Sequence, residues 1–306
     1  MLRKLFSRPL GRLSPGIAFA IAAPLFYSLT IPLSKIFLRQ VEPWMLAGLL
    51  DLGAGLGMAI VYLLRRVISH RPTPNLMNRQ DWYWLLSSIF AGSLMASVLQ
   101  AYGIANSTAA VASLLLNLEG VFTGLIAWFV FREAFNSQTA IGLAIITTGS
   151  VILVWAGDST LKFSWGALAI VGACIGWATS SNLTHKVAAK NVIQLTMVKT
   201  FIGGFLNVML ASAVGETLPN LTLVGVIAIA GFLSIGLTYF CLILALRQLG
   251  ASRTGAFFSI FPFAGAVLAV ITLGESITPQ LLTAAALMAT GLWFCLRKKS
   301  SNSAVG

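Results

Sequence analysis

Charged residues are scarce in this chain of 306 residues, since Asp, Glu, Lys and Arg together make up 9% of it. A soluble domain usually carries about 25% charged residues, because these side chains cover the surface that faces water. The hydrophobic fraction is 58% and the mean hydropathy is +0.89. A net charge of +12 would suggest nucleic acid as a partner of a soluble protein, but so few charges cannot cover a surface. The composition excludes a soluble or nucleic-acid-binding protein and indicates a chain that lies in a lipid bilayer.

The residues that usually build metal, redox and catalytic sites are also rare. Cys174, Cys241 and Cys295 lie in apolar segments without CxxC spacing, and His70 and His185 stand alone. Such cysteines are typical of a core, and isolated histidines do not make a metal site. The motifs GxxxxGK[ST], HExxH and GxSxG do not occur. We therefore expect no metal, no cofactor, no ATP hydrolysis by this chain and no enzymatic activity.

Most of the sequence consists of long apolar runs. A helix needs about 20 apolar residues to cross a bilayer, and turn formers and charges divide the chain into ten such runs. The first run is too long for the core of a cleaved signal peptide, so we interpret it as a retained helix. We predict an all-α integral membrane protein with ten transmembrane helices at about 15–38, 44–64, 82–104, 107–131, 138–156, 164–185, 193–213, 221–246, 251–272 and 279–297.

The distribution of cations predicts the orientation of these helices. With a cytoplasmic N-terminus, sixteen of the 20 Lys and Arg residues fall on the inner side. Only Lys35, Arg39 and Lys162 fall outside, and Lys199 lies within a span. Positive charge is enriched in cytoplasmic loops. The bias predicts a multi-pass protein of the inner (plasma) membrane, with a cytoplasmic segment at 1–14 and a cytoplasmic tail at 298–306.

The two halves of the chain share a register. Residues 16–21 resemble residues 166–171 at an offset of 150, and Glu133 and Gln138 match Glu275 and Gln280 at an offset of 142. Each half contains five spans, so the second half must be inverted relative to the first. Inverted repeats are common in secondary transporters, which bind their substrate near the midplane. We predict two inverted five-helix repeats, at 15–156 and 164–297.

Several strings resemble the drug/metabolite transporter superfamily, and its EamA-like family in particular. They are Leu116-Asn-Leu-Glu-Gly-Val-Phe-Thr, Phe131-Arg-Glu, Leu246-Arg-Gln-Leu-Gly-Ala-Ser-Arg-Thr-Gly-Ala-Phe-Phe-Ser, Pro262-Phe-Ala-Gly-Ala and Leu273-Gly-Glu. The resemblance implies a ten-helix inverted-repeat permease that exports small metabolites. Many relatives carry an Arg early in the second span, where Leu50 and Asp51 stand here, so no role of that Arg can be carried over.

Three ionisable side chains lie well inside the spans. A charged group at that depth costs about 2.5–3.5 kcal/mol on insertion scales, so it usually has a function. Glu119 is a candidate for proton exchange or ammonium binding, although it could also be a protonated packing residue. Lys199 either extends to the inner headgroups, or it points into the cavity and pairs with Glu119 or with an anionic group of the substrate. We expect Glu119 to be a nearer partner of Lys199 than Asp51 is. Asp51 either lines the outer mouth of a pathway or contacts water there.

Aromatic, amide and proline residues complete the predicted site. Tyr27 and Trp177 match at the offset of 150 and either face each other across a substrate or pack in the core. Pro262 occupies the repeat position of Gly120, so both halves have an irregular helix at that depth. We predict that the substrate site contains Glu119, Lys199, Tyr27, Trp177, Asn117 and Tyr239, and that Asp51, Pro262, Asn182 and Pro32 line the pathway or its gate.

These features favour a secondary transporter that moves a small polar metabolite by alternating access. A carboxylate and an amine in one cavity would suit a zwitterion such as an amino acid. A proton or another ion could couple transport, and the lipid bilayer is the remaining partner. An uncoupled facilitator, an exporter of lipophilic drugs or lipids, and a scaffold without transport are the alternatives. The substrate, the direction of flux and the choice between monomer and homodimer stay open.

Overall fold

The predicted helices are present in the structure, a computed structural model that describes residues 15–69, 78–132, 137–155, 164–185 and 192–296. Ten helical segments of these residues are long and apolar enough to cross a membrane. They are Pro15–Phe37, Pro43–Leu64, Arg79–Ala105, Ala109–Val130, Ser137–Val154, Trp165–Thr184, Gln194–Ala213, Leu221–Leu249, Arg253–Leu273 and Pro279–Leu296. The count of ten is confirmed, and the ends differ from the predicted ones by a few residues. The predictions for 1–14, 298–306 and Glu133 lie outside the described residues.

Five of the described spans are interrupted, and the other five are single helices. The interrupted spans are the first (α1, Pro15–Ser28; α2, Thr30–Phe37), the third (α4, Arg79–Ser88; a π-helix, Ile89–Ala96; α5, Ser97–Ala105), the fourth (α6, Ala109–Leu115; α7, Asn117–Phe131), the eighth (α11, Leu221–Gly231; a π-helix, Phe232–Gly236; α12, Leu237–Leu249) and the ninth (α13, Ala251–Phe258; α14, Phe261–Leu273). The single helices are α3 (Pro43–Ser69), α8 (Ser137–Val154), α9 (Trp165–His185), α10 (Val192–Ala213) and α15 (Pro279–Leu296).

Proline explains two of the breaks. Pro32 has no N–H for the carbonyl of Ser28, so the helix ends there and α2 begins after Leu29. Pro262 stands in the first turn of α14, where a missing N–H costs nothing. No proline stands at the break of the fourth span, which has i to i+3 bonds instead: Leu116 N–H donates to Ser113 O at 3.2 Å.

Small residues allow the spans to approach each other closely. The second span packs against the seventh, where a side chain at Gly204 would overlap the backbone of the second span. The fifth span packs against the tenth, and there Gly142 and Gly291 lie against each other. The first span packs against the eighth and ninth, and the third packs against the sixth. Close contact of backbones at small residues is how helices associate in lipid, since burial of apolar surface drives little there.

Charged side chains join the span ends at one face of the bundle. We call it the Glu275 face, formed by the turns 38–42, 106–108, 214–220 and 274–278. Glu275 accepts hydrogen bonds from the N–H groups of Ala109 (2.6 Å) and Ala110 (2.8 Å), at the start of the fourth span. Lys35 donates to the carbonyls of Ile104 (2.6 Å) and Ser107 (2.5 Å), at the end of the third span. Free backbone groups at helix ends are thereby satisfied by residues distant in sequence.

The perimeter of the bundle is apolar. Large hydrophobic side chains point outward on several spans, including Phe129 (68% exposed), Ile229 (61%) and Ile271 (72%). Asp51, Gln100 and Asn207 are buried inside. An outward apolar surface with polar groups inside matches a bilayer as the surrounding solvent. The protein is therefore a multi-pass, all-helical membrane protein.

Candidate functional site

A buried cavity of about 90 Å³ lies at the centre of the bundle, and this volume holds several water molecules. Its wall combines residues of the first, second, third, fourth, sixth, seventh and eighth spans. The lining residues are Tyr27, Thr30, Ser34, Ala47, Leu50, Asp51, Gly92, Ser93, Ser97, Gln100, Ala101, Ile104, Glu119, Trp177, Ser181, Lys199, Thr200, Ile235 and Tyr239. All three ionisable residues predicted inside the spans therefore line one space.

Asp51 is nearly fully buried, with 7% of its surface exposed, and it lines the cavity. Its Oδ2 atom accepts a hydrogen bond from Ser97 Oγ at 3.2 Å. The carboxylate is thus held between the second and third spans. The helices of the bundle enclose this side chain, so a place on the transport pathway is the alternative from the sequence that stays a prediction.

Lys199 points into the cavity and does not extend to the membrane surface. Its Nζ atom donates to Ser180 Oγ at 2.6 Å, and Ser180 Oγ in turn donates to the carbonyl of Ser88 at 2.7 Å. Within the described part of the chain, the ammonium makes no ion pair shorter than 4.0 Å with Asp51 or Glu119. The expectation that Glu119 is the nearer partner stays a prediction.

Glu119 stands in the first turn of α7, directly after the break of the fourth span. The sequence analysis predicted that Glu119 lies in the middle of one continuous helix. At the break, the N–H of Glu119 donates to the carbonyl of Leu116 at 3.1 Å, an i to i+3 bond. The first turn of a helix favours a negative charge, because the helix dipole is positive there. Glu119 is half-buried, and it lines both the central cavity and a second, larger groove. Its carboxylate therefore stands at the boundary of two spaces.

The aromatic residues line the cavity, but Tyr27 and Trp177 do not stack as a facing pair. The Tyr27 ring contacts Phe261 edge-on at 4.7 Å and Phe258 at 5.7 Å between ring centroids. Phe258 and Phe261 are 5.1 Å apart. These three rings, which we call the aromatic cluster, join the first span to the ninth. Trp177 and Tyr239 lie elsewhere on the cavity wall.

The other four predicted residues lie outside the cavity lining. Asn117 lines the larger groove, and its side chain donates to the Leu114 carbonyl at 2.8 Å. Pro262 lines the same groove, and its carbonyl accepts from Ser113 Oγ at 2.9 Å.

The remaining two of these four residues are Asn182 and Pro32. Asn182 donates to the Ala178 carbonyl of its own helix at 2.8 Å. Pro32 is buried in the first turn of α2. Neither of these two residues contributes to the cavity wall.

Two polar residues were missed by the sequence analysis. Thr30 Oγ1 and Gln100 Nε2 are buried without a hydrogen-bond partner among the described residues, and both side chains line the cavity. Buried polar atoms are almost always satisfied in folded proteins, so an unpaired hydroxyl and amide facing a cavity fit water or a bound ligand. Gln100 could have been found from the sequence, because an amide side chain inside a predicted span is uncommon.

Comparisons with known proteins agree with this architecture. A crystal structure titled "Crystal structure of protein" superposes with a TM-score of 0.68 at 17% identity, and the match covers 96% of this chain and 100% of that one. A transporter of Methanothermobacter thermautotrophicus, described as uncharacterized, is 27% identical over 91% of this chain and 85% of its own length. The uncharacterized transporter YvbV of Bacillus subtilis is 25% identical over 89% of this chain and 88% of its own length.

The model of the EamA-like transporter family matches the chain twice, at residues 14–155 and 164–297. These two segments contain all ten candidate spans. The protein therefore belongs to the EamA-like transporter family.

Proposed function

We propose that this transporter carries a small polar metabolite, an amino acid or a similar zwitterion, by alternating exposure of the central cavity to the two sides of the inner membrane. The observation that carries the proposal is the cavity wall. It combines two carboxylates, Asp51 and Glu119, with the ammonium of Lys199. A zwitterion offers the complementary pair of charges, and Thr30 and Gln100 have unpaired polar atoms for further hydrogen bonds.

Features that recur at one sequence offset support an inverted-repeat mechanism. The π-helices of the third and eighth spans overlap at the offset of 142, and the breaks of the fourth and ninth spans match this offset to within about two residues. Arg132 and Gly274, which share this offset, both end helices in the left-handed conformation. With five spans in each repeat, one repeat is upside down, and rocking of one against the other would open the site to each side in turn.

In this proposal the Glu275 face is extracytoplasmic, as the charge distribution of the sequence predicts. The contacts of Lys35 and Glu275 then keep the outer end closed. The cavity of about 90 Å³ is small for an amino acid, so cargo enters only when the spans separate further. Glu119 is the carboxylate that would bind a proton and the cargo in alternation, since it borders both the cavity and the groove.

The proposal is tested by uptake of labelled amino acids into proteoliposomes that contain the purified full-length protein. We expect Glu119→Gln and Lys199→Ala each to lower the initial rate by about tenfold or more, because each removes a charged partner from a desolvated site. Thr148→Ala is the control, since Thr148 is exposed and bonds to its own helix. Wild-type rates for both cavity variants would refute the site. A pH gradient that leaves uptake unchanged would refute proton coupling.

A further inference from the structure

A second space, which we call the inner groove, lies between the fourth, fifth, ninth and tenth spans. Its volume is about 500 Å³, within the range of about 300–1,000 Å³ typical of small-molecule sites. Apolar side chains such as Leu143, Phe258 and Leu292 form most of its wall. Thr123 and Ser259 add hydroxyl groups. An elongated, largely apolar molecule with few polar groups would match this wall.

The groove exists because the fourth and ninth spans pack along only part of their length. Between the Glu275 face and the two breaks, α6 packs against α14, and Ser113 bonds to the carbonyl of Pro262. Beyond the breaks there is open space at Gly120 and Gly255, where an added Cβ would meet no atom within 4 Å. The groove is thus a consequence of the two broken helices, with the fifth and tenth spans beneath it.

The described wall of the groove has one carboxyl side chain. Glu119 is the charged side chain on the described wall, which includes no Lys or Arg. The same carboxylate lines the central cavity. Two rings of the aromatic cluster, Phe258 and Phe261, line the groove, while the third, Tyr27, lines the cavity. Glu119 and the aromatic cluster therefore form the partition between the two spaces.

We propose that the inner groove binds an amphipathic organic amine, with its ammonium on Glu119 and its apolar body along the fourth and ninth spans. A carboxylate at one end of an apolar wall is complementary to a cation that carries an aromatic or alkyl group. This ligand class differs from the small polar cargo of the central cavity. Because Glu119 serves both spaces, an amine in the groove would compete with the cargo for that carboxylate.

Equilibrium binding to the full-length protein in lipid nanodiscs tests this proposal. Three probes share one body and differ in the charge of the head: 4-phenylbutylamine, 4-phenylbutanol and 4-phenylbutyrate. We expect the amine to bind about tenfold or more tightly than the alcohol, and the carboxylate to bind least, since only the amine pairs with Glu119. Equal binding of all three probes would overturn the proposal, because a lipid acyl chain would then be the better occupant.

Variants locate the binding in the groove. Gly120→Leu fills open space in the groove, and Gly225→Leu is the matched control, because Gly225 also has no atom within 4 Å and lies on the exposed side of the eighth span. We expect Gly120→Leu and Glu119→Gln to weaken amine binding by about tenfold, while Gly225→Leu binds as wild type. Unchanged affinity in Gly120→Leu would refute the site, provided that the variant unfolds at the wild-type temperature.

The outcome is separable from that of the transport proposal. Lys199 lines the cavity but not the groove. Lys199→Ala is therefore expected to impair amino acid uptake while amine binding stays within about twofold of wild type. If the wild-type protein takes up amino acids but binds the amine no better than the other probes, only the groove proposal is refuted. If it prefers the amine but does not take up amino acids, only the transport proposal is refuted.

Discussion

The two helices of the fourth span differ sharply in their surroundings. In α6 (Ala109–Leu115) six of the seven residues are buried, and Val111 is half-buried. In α7 (Asn117–Phe131) every classified residue from Phe122 onward is half-buried or exposed. Both segments are apolar and belong to one predicted span. The difference shows that a break can divide a span into one half that anchors the bundle and another that presents a carboxylate to open space.

The largest effect should follow from a change at the packed side of α6. A side chain at Gly265 of α14 would overlap Ser113 of α6. We expect Gly265→Leu to destabilise the protein by about 1–3 kcal/mol, because overpacking of a tight helix contact forces the backbones apart. The thermal unfolding midpoint in lipid nanodiscs measures this. An unchanged midpoint would show that the contact between α6 and α14 is looser than described.

A smaller effect is expected at the start of α6. Glu275→Ala removes the two hydrogen bonds to the N–H groups of Ala109 and Ala110. We expect a loss of about 1–2 kcal/mol, in the range measured for helix caps, and a fall in the same unfolding midpoint. Glu42→Ala is the matched control, because Glu42 is an exposed carboxylate in another turn of the Glu275 face. Equal shifts in both variants would mean that general surface charge, rather than capping, sets the stability of this face.

The smallest effect, of opposite sign, should occur in α7. Gly120 lies in a helix, and an added Cβ would meet no atom within 4 Å. We expect Gly120→Ala to leave stability unchanged or to raise it by up to about 1 kcal/mol, because alanine favours a helix more than glycine does. A clear drop in the unfolding midpoint would place this side of α7 in a packed contact and would remove the contrast between the two helices.

Much of the site was accessible from the sequence because charge is so costly inside a bilayer. Asp51, Glu119 and Lys199 are unusual at their depth, and all three line the cavity. The local shape of the helices was predicted less well. Depth was estimated along straight helices, whereas a π-helix in the third span and a break in the fourth alter which residues face each other. Which of Asp51 and Glu119 pairs with Lys199 therefore stays a prediction.

Neutral polar residues were predicted least well. Asn117 and Asn182 were chosen for their amides, but both donate to carbonyls of their own span. Gln100 and Thr30, which were not chosen, have the unpaired atoms that line the cavity. An uncharged polar side chain can bond within its own helix at little cost, so its type alone does not reveal which way it points.

The sequence by itself determined that the protein lies in a lipid bilayer, how many spans it has and which charged residues are buried. Each of these properties depends on the free energy of transfer from water to hydrocarbon. The scarcity of charge excluded a soluble fold, and the positions of the remaining charges marked both the loops and the candidate site. Only the tertiary structure decided where the fourth span breaks, that Glu119 borders two spaces, and that Gln100 faces a cavity. These depend on the rotation and packing of one helix against another, which hydropathy along the chain does not encode.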